Sequence, residues 1–207
     1  MTEKAPVFAK IIEDYLLQVA LIEAKGDIGE LLGITVRDDG WRIPFFNRTH
    51  TVATDRIIDA DGNAATHIAS VILCQYLLLC PDQPSDDFSL VTYKDFRDAA
   101  PYAGGFQNTA EQQIARHFSG GLPQLEKKCL DLGGHFFDTE VSCQLAMKFQ
   151  ALPNIPIFLL FNDADEDFPA QATILFQKNA AAYLDMECLA MIGATLAYRL
   201  QEKRDIK

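Results

Sequence analysis

Phe8, Ile11, Ile12, Tyr15, Leu16, Val19 and Ile22 recur at steps of three and four, with Lys10, Glu13, Asp14 and Gln18 between them. That period puts the apolar side chains on one stripe of a helix, and it predicts a helix from Pro6 to near Gly26. The pattern then shortens. ITVR, WRIPFF and THTVAT are brief runs of β-branched and aromatic residues, separated by Asp38-Asp39-Gly40 and by Asn47-Arg48. Such runs between turn residues predict an antiparallel meander. Asp59-Ala60-Asp61-Gly62-Asn63 supplies turn chemistry and a helix cap ahead of an apolar helix over residues 64–80.

PDQPSDD, residues 81–87, carries two prolines and three acids and predicts a surface loop before a short strand at 89–93. Thr109 followed by Gln112 fits a capping box for a helix running to Phe118. Pro123 suits the first turn of the next helix, which Gly133-Gly134 ends. Strands follow at 142–149, 155–161 and 172–176, so the acidic stretch FNDADEDFPA becomes a hairpin loop. Asp185 is placed to cap a last helix in which Leu189, Ile192, Leu196 and Leu200 share a face, with Arg199, Lys203 and Arg204 towards its negative end. Strand groups interleaved with helices, without regular βαβ alternation, predict an α+β fold: a mainly antiparallel sheet covered by helices, as a single domain over residues 1–207.

Charge removes several function classes. Eighteen basic against 29 acidic residues leave a formal charge of −11, which repels a phosphate backbone unless a basic patch intervenes. Lys127-Lys128 and Lys203-Arg204 are too short for one, so nucleic acid and anionic membrane are not expected partners. The first residues mix acids and bases where a signal peptide needs an uninterrupted apolar region, which argues against export. The most apolar stretch, residues 68–80, is shorter than the roughly 20 residues of a membrane span. Cys74, Cys80, Cys129, Cys143 and Cys188 are odd in number and scattered, as reduced thiols of a cytoplasmic protein would be. They form no CxxC or Cys/His zinc spacing. Neither GxGxxG nor GxxxxGK[ST] occurs, so the common dinucleotide and P-loop signals are missing.

Four groups of residues offer chemistry. Asp163, Asp165 and Asp167 alternate around Glu166 and could gather carboxylate oxygens about calcium or magnesium. The EF-hand pattern fails there, since Phe168 stands at its glycine position and Ile174 at its twelfth; a solvated hairpin tip accounts for the same residues. His135, Asp138, Glu140 and Cys143 lie close enough in sequence to combine a base and a thiol, although loop exposure and inward strand packing explain them as well. His67 and Cys74 share a helical face but lack a third ligand, and Trp41 serves equally as core or platform. In APYAGGFQNT, Gly104-Gly105 before a helix would expose backbone N–H groups to an anion, while Tyr102, Phe106 and Gln107 could flank a small ligand. Turn geometry alone also explains those glycines.

LVTYKDF at 90–96, GGFQ at 104–107, LGG at 132–134, ALPNIPIFLLF at 151–161, DEDFPAQATILF at 165–176 and AAYLDMECLAMIG at 181–193 together resemble the prokaryotic family known as domain of unknown function 3786. The order of the segments is more specific than any one of them. The resemblance implies a single-domain cytosolic protein, largely of anaerobic bacteria and archaea, with some members joined to iron–sulfur modules. It implies no established activity and carries over no catalytic residue. Asp163-Ala164 stands where the family pattern leads one to expect glycine, which puts close backbone approach of a ligand there in doubt.

The expectation is a non-catalytic cytoplasmic binding or accessory domain for a small molecule, cofactor or redox partner protein. Its loops would act through Tyr102, Gly104, Gly105, Phe106 and Gln107 on one side and Phe168 with the acidic turn on the other. A metal-assisted hydrolase or lyase using residues 163–167 with His135 is the competing class, and a structural subunit of a homo-oligomer the third.

Overall fold

The structure is a computed structural model describing residues 4–22 and 28–202, with side chains described from residue 8 onward. Gly26, Lys203 and Arg204 lie outside the described residues, so the expected helix end and basic terminus do too. The first helix, α1, is Lys4–Ala20, and a short α2, Ile28–Leu32, precedes the meander. Strands β1 Thr35–Arg37, β2 Gly40–Phe45, β3 Arg48–Val52 and β4 Ile57–Ile58 form an antiparallel sheet in sequence order. Its register sets Trp41 opposite Val52 and Ile43 opposite His50. Gly40 is needed at the first turn: its φ is +130°, and an added Cβ would fall 2.2 Å from the Val52 carbonyl oxygen.

The apolar helix α3, His67–Leu78, starts from Thr66, whose hydroxyl accepts the Ala69 amide at 3.3 Å. Asp59 instead closes its own turn by accepting the amides of Asp61 and Asn63, both at 2.9 Å. The second sheet contains β5 Leu90–Thr92, β6 His135–Phe136, β7 Leu145–Leu152, β8 Ile155–Asn162 and β9 Gln171–Gln177, in the order β5-β9-β8-β7-β6 with every pair antiparallel. Central β8 is buried from Ile155 through Phe161, as expected of a strand covered on both faces. β7 alternates, with Leu145, Met147 and Phe149 inward. The expected α+β architecture is present, but the strands divide between two sheets, because β4 ends the first before α3 intervenes. The sheets meet where the Phe46 amide donates to the Ala151 carbonyl at 2.8 Å.

One expected loop is a helix. The sequence predicts residues 100–109 as a glycine-bearing loop running into a helix capped at Thr109. Instead α4, Ala100–Phe106, passes through a π-helical turn, Gln107–Glu111, directly into α5, Gln112–His117. Thr109 caps nothing; its hydroxyl donates back to the Gly105 carbonyl at 2.8 Å. The physical reason is burial. Phe106, Ala110, Ile114 and Phe118 fall on one inward stripe, and their transfer from water outweighs the roughly 1 kcal/mol that each glycine costs a helix. Helix α6, Leu122–Asp131, has Pro123 in its first turn and ends at Gly133, as the sequence predicts. The last helix, α7, is Met186–Gln201, capped by Asp185 accepting the Cys188 amide at 2.7 Å. It packs against α3, α4, α5 and α6 and so forms the axis of the helical layer.

Candidate functional site: a cleft between the π-helical turn and β9

The π-helical turn positions the site. Phe106 faces inward, stacking on Tyr93 with ring centroids 4.3 Å apart and an interplanar angle of 11°. Gly193 of α7 makes room for it, since a Cβ there would sit 2.4 Å from the Phe106 ring. Five residues later the widened turn delivers Glu111 towards β9. Its Oε1 accepts the Ile174 amide at 3.0 Å. β5 pairs only with Leu175, Phe176 and Gln177 of β9, so Ile174 lies just beyond the end of β5 and a side chain satisfies it instead. Burial pushes the Glu111 carboxyl above its ordinary value, against the Ile174 hydrogen bond and the positive charge of Lys94, which pull it down.

A cleft of about 430 Å³ opens at this point. Tyr93 and Phe106 give it an aromatic side, while Thr92, Lys94, Gln107, Glu111 and Thr173 supply polar groups. Gly104 lies at its edge, where an added Cβ meets nothing within 4 Å. The Tyr93 hydroxyl is turned away, donating to the Met186 carbonyl at 2.7 Å. A shallower recess adjoins through Gln107, Glu111 and Thr173 and adds Gln112 and Gln171.

Of the residues singled out from the sequence, Gly104, Phe106 and Gln107 meet in this cleft. Tyr102 faces a different recess, with Arg97, Asp98, Asp185 and Glu187. Gly105 is exposed on α4. Phe168, 66% exposed, sits at the β8–β9 connection. Lys94, Glu111 and Thr173 join the cleft without a local signal in the sequence. Glu111 falls between Thr109 and Gln112, the two residues of the expected capping box, and its partner Ile174 is 63 positions away.

The acidic hairpin loop is where the pattern predicts it, but its carboxylates differ in their work. Asp163 is half-buried and accepts the amides of Gly120 at 2.6 Å, Ala164 at 2.8 Å and Leu122 at 3.1 Å, tying the hairpin to the start of α6. Desolvation raises its carboxyl, and those three amides outweigh it and hold the group below the usual aspartate value. Asp165 closes the tip by accepting the amides of Asp167 and Phe168 at 2.9 and 2.7 Å. Glu166 and Asp167 are exposed. Among the described residues no three His, Cys, Asp or Glu side chains converge in an arrangement suited to a metal ion.

His135, Asp138 and Glu140 are exposed, with His135 on edge strand β6 opposite Lys148. Cys143 is half-exposed, and desolvation raises its thiol, the wrong direction for a nucleophile. His67 lies against the Phe8 ring at 4.5 Å, while Cys74 is fully buried with its thiol pushed up to about 12 by desolvation. Trp41 is half-buried and packs on the core. Arg199 of α7 stacks over Phe45 at the end of β2 and over Phe46 at 5.1 and 5.0 Å, its guanidinium brought down to about 10 by burial and then by Arg48.

Fold and site together define an α+β domain of two antiparallel sheets with a polar cleft beside a π-helical turn. A family model described as Domain of unknown function (DUF3786) matches residues 26–199, and the chain belongs to that family. No curated protein and no solved structure matches it.

Proposed function

We propose that the chain is a cytoplasmic binding or accessory domain that holds a small polar molecule in the cleft between the π-helical turn and β9. The observation that carries this reading is Glu111, a carboxylate kept partly out of water at the wall of a 430 Å³ cleft. A π-helical turn interrupts an otherwise regular helix at a cost in hydrogen-bond geometry, and such turns recur at functional sites. Here the turn aims Glu111 at both β9 and the cleft. The cleft volume falls within the range of small-molecule sites, roughly 300–1,000 Å³. The buried thiols Cys74, Cys129 and Cys188, scattered over three helices, are in keeping with a reducing compartment.

A metabolite panel read by thermal unfolding tests the reading. A ligand present at about 100 times its Kd stabilises the protein by about 2.7 kcal/mol. Gly104→Leu fills the edge of the cleft, where the backbone already permits a side chain, so the variant keeps the fold and loses the ligand-induced shift. An undiminished shift in Gly104→Leu would place binding elsewhere and defeat the proposal.

A further inference from the structure

We infer that the ligand class of this cleft is a small zwitterion, an amino acid or a molecule with the same paired charges, its ammonium set at Glu111 and its carboxylate at Lys94; the inference rests on the binding role proposed above. Two opposite charges line one cleft without meeting. Among the described residues ion pairs form at Arg42–Asp39, Arg56–Asp55 and Lys178–Asp87, and neither Lys94 nor Glu111 takes part in one. Yet the Lys94 charge is felt at Glu111, so the two face the same space at more than ion-pair distance.

Glu111 uses Oε1 for the Ile174 amide. An ionised carboxylate has about four lone-pair positions, so one amide leaves most of its accepting capacity for a ligand at the cleft wall. A donor-rich cationic group answers that demand. At the other end Lys94 is a donor only. The acid nearest to it in sequence, Asp95, is turned back to accept the Thr92 amide at 2.9 Å, capping its own turn. A ligand with a cation alone would leave the exposed Lys94 ammonium with only water and the neighbouring Asp95 charge, and one with an anion alone would bring like charge to Glu111. The net charge of −11 also disfavours a simple anion. Gln107 and Thr173 add neutral donors and acceptors to the same lining, and the buried Tyr93–Phe106 stack forms its rigid backing.

Isothermal titration of the wild-type protein with free α-amino acids, their N-acetyl derivatives and their α-amides tests the class. Free amino acids are expected to bind, and blocking either charged end is expected to weaken binding at least about tenfold, as for a lost charge-assisted contact. Glu111→Gln keeps an acceptor for the Ile174 amide and therefore the fold, checked by circular dichroism; it should erase the preference for the free amine. Lys94→Met should erase the preference for the free carboxylate while leaving the amine preference in place. Blocked compounds that bind as well as the free ones overturn the zwitterion, and the cleft reading survives if Gly104→Leu still abolishes their binding. A Gly104→Leu-sensitive hit without paired charges, alongside silent amino acids, likewise overturns the ligand class alone. If nothing in either panel binds the wild-type protein, the cleft reading and the zwitterion fall together.

Discussion

Asp163, Asp165 and Asp167 alternate in the sequence as if equivalent, and the structure gives each a different task. Asp163 spans two elements through the amides of Gly120 and Leu122, while Asp165 closes only its own turn and Asp167 faces water. Asp163→Ala should therefore cost about 1 kcal/mol, comparable to loss of a helix cap after allowance for solvent screening. Asp167→Asn should fall within about 0.5 kcal/mol of wild type, as surface changes do. The pH dependence follows from the direction of the Asp163 shift. A carboxyl held below its ordinary value of 3.8 contributes stability that is fully present above that value and lost as pH falls through the lower folded value. Urea midpoints of wild type and Asp163→Ala should differ at neutral pH and converge as pH is taken progressively below 3.8. A gap that stays constant over that range would show that the aspartate acts without its charge.

At the scale of elements, hairpins were legible and the glycine segment was not, for one physical reason. The β7–β8–β9 hairpins join neighbours in sequence, so alternation along 145–152 and 171–177 and the turn at Pro153-Asn154 are enough to specify them. The Asp185 cap is equally local. Segment 100–111 is decided at a distance: Phe106 is buried against Tyr93 and Phe176 and seated on Gly193, contacts spanning 13 to 87 positions by residue number. Local propensity reads Gly104-Gly105 as a break, and tertiary burial overrides it. Glu111 stayed invisible for the same reason, and with it most of the polar side of the cleft. The seat at Gly193 gives this a direct test. Gly193→Ala would place a methyl 2.4 Å from the Phe106 ring, in an arrangement already fixed by stacking on Tyr93. Overpacking of this kind costs about 1–3 kcal/mol, although alanine is the better helix former. A lowered urea midpoint with unchanged slope is expected; a variant as stable as wild type would mean that the ring moves freely and that α4 is not locked to α7.

Across the whole molecule, reactivity of the five thiols reports how far the core closes. Cys74, Cys129 and Cys188 lie on α3, α6 and α7, three helices of one layer, and each is buried. Desolvation pushes the Cys74 and Cys129 thiols up to about 12, with Glu126 adding to the latter, and raises Cys188 further with help from Asp185. The thiolate is the nucleophile, so these three are protected twice, by lack of access and by lack of ionisation. Cys80 and Cys143 are only half-buried, and Cys80 sits at the end of α3 with its thiol directed to the Pro81 carbonyl at 3.7 Å. Iodoacetamide suits the measurement because a neutral reagent is not repelled by a chain of charge −11. Mass spectrometry of the native protein should show early labelling at Cys143 and Cys80 only. Cys74, Cys129 and Cys188 should then label together, at one rate that rises with denaturant, because all three are buried in one connected hydrophobic core. Separate rates for the three would show that the helical layer opens piecemeal; rapid labelling of any of them in the native protein would show that the layer around α7 is open to solvent.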